Sequence, residues 1–271
     1  MARRSSGRTS RNPSMCAQSG TSTGSDGHDP VCEALARSLM YRFLARALRH
    51  PEPGTVAELI DACSSLQAAL EDAAPEVPTS LVSEVADEID AISDDEFAAE
   101  HVRLFGHVVR GALPCYETEY GSGDDGLLQA HELADLGAFY EVAGLRLRHG
   151  ERGDHAVLEC EFLQYLTRKE AHGHEQDDER MVQALRDLER GFLESHLGRW
   201  APAWLRRVGE ESGPLAAVGR LGDAFLTAEC RRFQLAALDE PLVLRVPLMG
   251  PDEAMSCGVG PAPAPSPAME V

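Results

Sequence analysis

DPVCEALARSLMYRFLARALRHP, Asp29 to Pro51, decides the fold class. Val31, Leu35, Leu39, Phe43, Leu44 and Leu48 recur at the three- and four-residue intervals that put side chains on one face of an α-helix. The run opens on Asp then Pro: a side-chain acceptor for the unpaired N–H groups of a first turn, and a residue that has no N–H to satisfy. It stops at Pro51, which cannot continue a helix. The spacing predicts an amphipathic helix here, and the same period returns over roughly 54–72, 80–92, 95–108, 127–142, 154–171, 177–196 and 214–237. No convincing two-residue alternation lies between these runs. The expected fold is all-α, a single helical-bundle domain of about eight to nine helices over residues 29–238. Residues 1–28, rich in Ser, Gly, Thr and Arg, read as a disordered tail. After Asp239 come one short apolar stretch, LVLRVPLM, and then GPAPAPSPAMEV, so 239–271 reads as a Pro/Ala-rich tail.

Composition removes several classes of function. At 271 residues and 43% hydrophobic content the chain can bury a sizeable core. No run of about 18 apolar residues is present, and no hydrophobic segment follows Arg3-Arg4, so a cytoplasmic protein without direct membrane insertion is expected. A net charge of -20, with no basic stripe beyond the first eleven residues, repels phosphate and argues against nucleic acid. Seven scattered cysteines without a CxxC pair give neither a disulfide framework nor a zinc site of ordinary spacing.

Enzyme signatures are missing as well. There is no Walker A sequence or Glu-x-x-His pair, and Lys169 is the sole lysine. In His131-Glu132-Leu133-Ala134-Asp135 an aspartate stands where a zinc protease has its second histidine, which leaves a solvated helix face as the reading. Cys115 has no base identifiable beside it in the sequence. No catalytic residue, metal or cofactor is expected.

Two segments carry more chemistry than a connector needs. LPCYETEYG, Leu113 to Gly121, sets Tyr116 and Tyr120 around Glu117 and Glu119 in a loop punctuated by Gly and Pro. Tyrosine offers apolar area with a hydrogen-bonding tip and a carboxylate can pair with arginine, which suits a recognition surface; a loop pinned by two buried tyrosines explains the same residues. ERGDHAVLECEF, Glu151 to Phe162, opens a helical run. Asp154 suits a helix N-cap. His155 would then place a positive charge against the helix dipole in the first turn, a cost without structural benefit that points to a use.

The stretches LFGHVVRGALPCYETEYG, HELADLGAFYEVAGL, ERGDHAVLECEFLQYLTRKEA and FLESHLGRWAPAW, taken in order from Phe97 to Arg232, resemble the TorD/DmsD/NarJ family of redox-enzyme maturation chaperones. Its hallmarks there are a Pro-containing loop ending in Tyr-Glu-x-x-Tyr and a Glu-x-x-Asp-His element opening a long helix. Gly153 stands where the family often has proline, and Cys160 at a usually aliphatic position. The resemblance implies a cytoplasmic, non-enzymatic chaperone, monomeric or dimeric. It would bind the twin-arginine signal peptide and apo form of a molybdoenzyme catalytic subunit of the dimethyl sulfoxide reductase superfamily. It would delay export until the client's molybdenum cofactor is inserted. Motif matching places Tyr116, Glu117, Tyr120, Glu151, Asp154 and His155 in or beside the peptide-binding region. The alternatives are a guanine-nucleotide-binding or weakly hydrolytic all-α protein, and a scaffold subunit that binds its partner enzyme's folded body.

Overall fold

The computed structural model describes residues 29–106, 110–121, 126–148, 151–236 and 242–245. Among them nine α-helices follow in order: α1 Pro30–Leu48, α2 Thr55–Ala73, α3 Ser80–Asp90, α4 Asp94–Phe105, α5 Gly126–Val142, α6 Ala156–Glu175, α7 Glu179–Ser195, α8 Leu197–Glu210 and α9 Pro214–Arg232. The all-α class holds, with three isolated β-bridges and no strand among the described residues. The expected tail at 1–28, and the expected tail at 239–271 apart from 242–245, lie outside the described residues.

α1 forms as its sequence predicts, with the Asp29 side chain accepting from the Val31 N–H at 3.0 Å. It is not simply amphipathic, however. It packs along α6 and against α2 and α9, and Ala36, Met40, Leu44 and Leu48 are buried along with Phe43 and Ala45 on other sides. Alanines at 34, 36, 45 and 47 keep the helix slim, so neighbours approach from several directions. The Leu/Val stripe visible in the sequence is only one of its contact faces.

The other face carries a charge into the core. The Arg37 guanidinium donates to Glu229 on α9 at 2.9 and 3.0 Å, to Glu170 on α6 at 2.7 Å and to Glu189 on α7. All four side chains are buried. Tyr41, one turn along, donates its hydroxyl to Glu229 at 2.9 Å. Arg186 and Arg232 reach in from half-exposed positions to Glu170 and Glu229, so three arginines face three carboxylates. A buried charge left alone costs several kcal/mol, which makes this arrangement intolerant of losing one member.

Two local features place the next elements. α4 ends at Phe105, short of the predicted 108, because Gly106 takes a left-handed φ of 81° and returns its N–H to Val102. The Leu113 N–H then donates to the Leu104 carbonyl at 2.8 Å and turns the following loop back across the bundle. α8 was not expected. Leu197, Trp200, Ala201, Trp204, Leu205 and Val208 are all buried and follow a helical period, but Pro202 sits inside. Pro202 has no N–H to donate to the Gly198 carbonyl, and the Cys230 thiol lies 3.9 Å from that oxygen instead. The glycines at 209 and 219 let α8 and α9 cross closely, since a Cβ on Gly219 would fall 2.5 Å from the Gly209 nitrogen.

Two measurements test the buried cluster. R37M should lower the unfolding free energy by about 3–5 kcal/mol in a urea titration. Burial pushes the Glu189 carboxyl up to about 7, against the pull of Arg37. Below that pH the folded chain holds a proton that the unfolded chain releases near pH 4.5, so this group's contribution to stability falls as pH rises from about 4.5 through about 7. E189Q should remove that fall, read as the difference between wild-type and variant stability across the window.

Candidate functional site

The loop after α4 and the residues before α6 are clamped together by backbone. Glu117 N–H donates to the Asp154 carbonyl at 2.8 Å, Ala156 N–H donates to the Cys115 carbonyl at 2.9 Å, and Tyr116 and His155 form an antiparallel bridge. The two motifs, some 35 residues apart in the chain, are therefore one unit. A single 3-10 turn, Glu117–Glu119, reverses the loop inside it.

The start of α6 differs from the sequence reading in a way that exchanges two roles. His155, not Asp154, is the N-cap: its Nδ1 accepts from the Val157 N–H at 3.1 Å. Asp154 is fully buried and turned toward the loop. Its carboxylate accepts from the Thr118 hydroxyl at 2.7 Å, from the Thr118 N–H at 3.3 Å, and from Arg152 at 2.7 and 3.0 Å. The histidine whose charge would oppose the dipole caps the helix, and the aspartate expected to cap it locks the loop.

The cap also fixes the proton on His155. With Nδ1 accepting, the neutral ring carries its hydrogen on Nε2, 3.0 Å from the Cys115 sulfur, and donates it there. Burial pushes the His155 ring down to about 4, Asp154 opposing, and pushes the Cys115 thiol up to about 12. The base that the sequence did not reveal beside Cys115 is present, but its facing nitrogen holds a proton. That geometry cannot accept one from the thiol, as a nucleophilic pair requires.

Around this unit the nominated residues take different positions. Tyr116 is half-buried, edge-on to His155 at 4.8 Å and covered by the Arg152 guanidinium at 4.2 Å. Tyr120 is buried, stacked on Trp200 at 5.6 Å, with its hydroxyl donating to the Pro114 carbonyl at 2.7 Å. Glu117 is buried against His196 at 3.0 Å and Arg199 at 3.2 Å. Glu151 is exposed and accepts from the Arg148 N–H at 3.2 Å. Five of the six converge on the clamp, and Glu151 stands at its approach.

Several participants were not singled out from sequence: Thr118, Arg152, His196, Arg199 and, on α5, Glu132 and Asp135. Arg199 bridges Glu117 and Glu132, and the ring nitrogens of His196 lie 3.0 Å from Glu117 and 3.2 Å from Asp135. The α5 face read as solvated thus faces an ion network. His196 and Arg199 lie in FLESHLGRWAPAW, where their place among the family stretches was the only available signal. Below the clamp, the Glu159 carboxyl accepts from the Trp200 indole at 3.2 Å and is pushed well above the usual range by burial and by Glu117.

A cavity of about 320 Å³ opens beside the clamp, lined by His50, His101, Cys115, Tyr116, Glu119 and His155 among others. Its volume suits one or two side chains. Glu119 pairs with Arg110 at its rim. Next to the loop, α5 presents exposed leucines, with Leu127 81% exposed and Leu128 and Leu133 less so. Among the described residues no cluster of His, Cys, Asp or Glu is arranged to hold a metal ion, and no helix is long and apolar enough to cross a membrane.

Residues 57–206 match a family model described as nitrate reductase delta subunit. The chain belongs to this family of NarJ/TorD-like redox-enzyme maturation chaperones. The match runs from α2 into α8 and includes all six nominated residues. A 99-residue stretch is also 35% identical to the selenate reductase assembly chaperone protein of Thauera selenatis, over 36% of this chain and 48% of that relative. The chain thus spans about half the length of the curated relative it matches.

Three outcomes test the geometry. Nitrogen NMR of the imidazoles should show His155 neutral with Nε2 protonated until the pH approaches about 4. Since the unfolded ring takes a proton near 6.5, this group's stabilisation is lost as pH falls from there through about 4; H155A should abolish that loss and cost about 1 kcal/mol at pH 7 through the missing cap. D154A should cost about 2 kcal/mol, because it strands Thr118 and Arg152 together.

Proposed function

We propose that the chain is an assembly chaperone for a molybdenum-containing reductase, and that the clamp binds the twin-arginine leader of that enzyme's catalytic subunit in the cytoplasm before export. Family membership supports the class of function. The observation that carries the finer reading is the juxtaposition of half-exposed Tyr116 and His155 with Glu119 at one cavity, beside the exposed leucines of α5. An incoming guanidinium would meet Glu119, which it would share with or take from Arg110, and exposed Glu151 at the approach, and an apolar segment would find uncovered aliphatic surface.

Magnitudes divide the work. An exposed arginine–carboxylate pair contributes about 0.2–1 kcal/mol, whereas a well-buried aliphatic side chain contributes about 1.5–3. The apolar half of a leader therefore supplies most of the affinity, and the acids choose peptides with paired arginines and set their register. The six nominated residues then split by burial. Tyr116, Glu151 and His155 would meet the peptide, while Glu117, Tyr120 and Asp154 would hold the surface in shape.

Calorimetric titration of the protein with the leader peptide of a molybdoenzyme encoded beside it tests the proposal. A Kd in the micromolar range is expected, about -8 kcal/mol, because ordering a disordered peptide offsets part of the gross gain. Replacing both arginines of the peptide by glutamine should weaken binding about tenfold, removing its apolar run should abolish it, and Y116A should weaken it with little change in Tm. Saturable heat from none of the leader peptides would sink the reading. A client without its leader that still binds at full strength would favour the scaffold alternative.

A further inference from the structure

Residues 242–245, within the stretch read as a tail, lie against the loop of the clamp. The Gly121 N–H donates to the Val243 carbonyl at 2.8 Å, the Arg245 N–H donates to the Glu119 carbonyl at 2.7 Å, and Leu244 bridges Tyr120 in antiparallel sense. Arg110 donates to the Arg245 carbonyl at 2.9 Å and Arg207 to the Leu242 carbonyl at 3.3 Å. The Arg245 side chain, 8% exposed, meets Glu132 at 3.1 Å. A short segment is paired with the loop through one isolated bridge and two backbone hydrogen bonds, with an arginine delivered onto an α5 carboxylate.

Leu242-Val243-Leu244-Arg245 combines aliphatic side chains with an arginine, the chemistry that the clamp is proposed to receive from a client. The seat is shaped for it. Gly121 takes a φ of +133°, which favours glycine, and a Cβ there would fall 2.6 Å from the Arg245 Nη2, so a larger residue would make the arginine shift. The fit is incomplete all the same. Among the described residues Arg245 Nε and Nη1 and the second Glu132 oxygen have no hydrogen-bond partner, although they are buried. An incoming segment with a further donor in register would satisfy the Glu132 oxygen that the resident arginine leaves unpaired.

On this basis, and resting on the reading of the clamp as an arginine-peptide site, we infer that residues 242–245 are a resident occupant of the Tyr120–Glu132 side of the clamp, next to the cavity, that a client peptide lying along the loop must displace. The sequence supplies the means. Only five residues of sequence separate Ala236 from Leu242, so the segment binds its seat as an intramolecular ligand that any incoming peptide meets as a competitor. A weakly binding segment is then seated most of the time. One seated about 90% of the time raises the apparent Kd of any competitor about tenfold.

Fluorescence anisotropy on the full-length protein tests this with two labelled probes: the chain's own octapeptide PLVLRVPL, residues 241–248, and a leader peptide with paired arginines ahead of an apolar run. R245A should bind both probes about tenfold more tightly than wild type, and an octapeptide with alanine for arginine should lose binding to either chain. L244D, which leaves the arginine but spoils its apolar neighbour, should move both affinities in the same direction and covers the case in which R245A misfolds. Equal octapeptide affinity for wild type and both variants, or no octapeptide binding to any of them, overturns the inference whatever the leader does. Octapeptide binding of the expected pattern with no leader binding to any chain leaves the resident segment standing and overturns the client reading instead.

Discussion

Arg37 is the constraint around which the bundle is arranged. One guanidinium on α1 faces carboxylates from α6, α7 and α9, so four helices separated widely in the chain share one buried charge balance. Aliphatic packing tolerates sliding and repacking, whereas a forked cation with three acceptors accepts few relative positions of its neighbours. α6 is held in this way near its C-terminal end, by Glu170, which leaves its N-terminal end to be positioned by the loop. The clamp is where that second fixing occurs. Asp154 secures the loop, His155 caps the helix, and the bridge between Tyr116 and His155 joins them.

This division separates framework from contact surface within one motif. Residues that look alike as candidate ligands, two tyrosines and three acids, end up in unlike surroundings. Glu117 and Tyr120 are spent on His196, Arg199, Trp200 and Pro114, while Tyr116 and Glu151 keep access to solvent. A substitution at the first pair would change the site by altering its shape, and one at the second pair by removing a contact. Loss of binding alone does not distinguish the two, whereas loss of binding at unchanged stability does.

Most of the fold was legible because its helices carry ordinary local signals: Asp29 with Pro30 at the start of α1, the period of Leu, Val and Phe along it, and the Gly and Pro punctuation of the loop. α8 was hidden by a local rule that tertiary structure overrides. Its apolar period from Leu197 to Val208 is regular, but Pro202 reads as a break, and the thiol near the carbonyl that Pro202 leaves unpaired comes from α9. Five of the six nominated residues were legible as neighbours, but what each one touches was not. Which of Asp154 and His155 caps depends on Thr118, which lies 36 residues from Asp154 in sequence, and the surroundings of Glu117 depend on His196, 79 residues away. Pairings at such separations leave no spacing signal in a single chain.

α5 sends Leu136 and Tyr140 into the core, while Leu127, Leu128 and Val142 remain exposed along its length. Phe139 and Tyr140 anchor it on Phe192 and Phe162, and a seam of polar ties runs beside them: Gln129 to the Thr118 carbonyl, Glu132 to Arg199, Asp135 to His196 and the Tyr140 hydroxyl to the Gly153 carbonyl. Polar ties can be exchanged for water at small net cost, whereas apolar burial cannot. α5 is thus held by an aromatic anchor and a polar seam, of which only the seam can trade its bonds for water without uncovering core. At the helix that borders the clamp, charge pairs on the Glu132 and Asp135 face can therefore be rearranged while Phe139 and Tyr140 keep the helix seated.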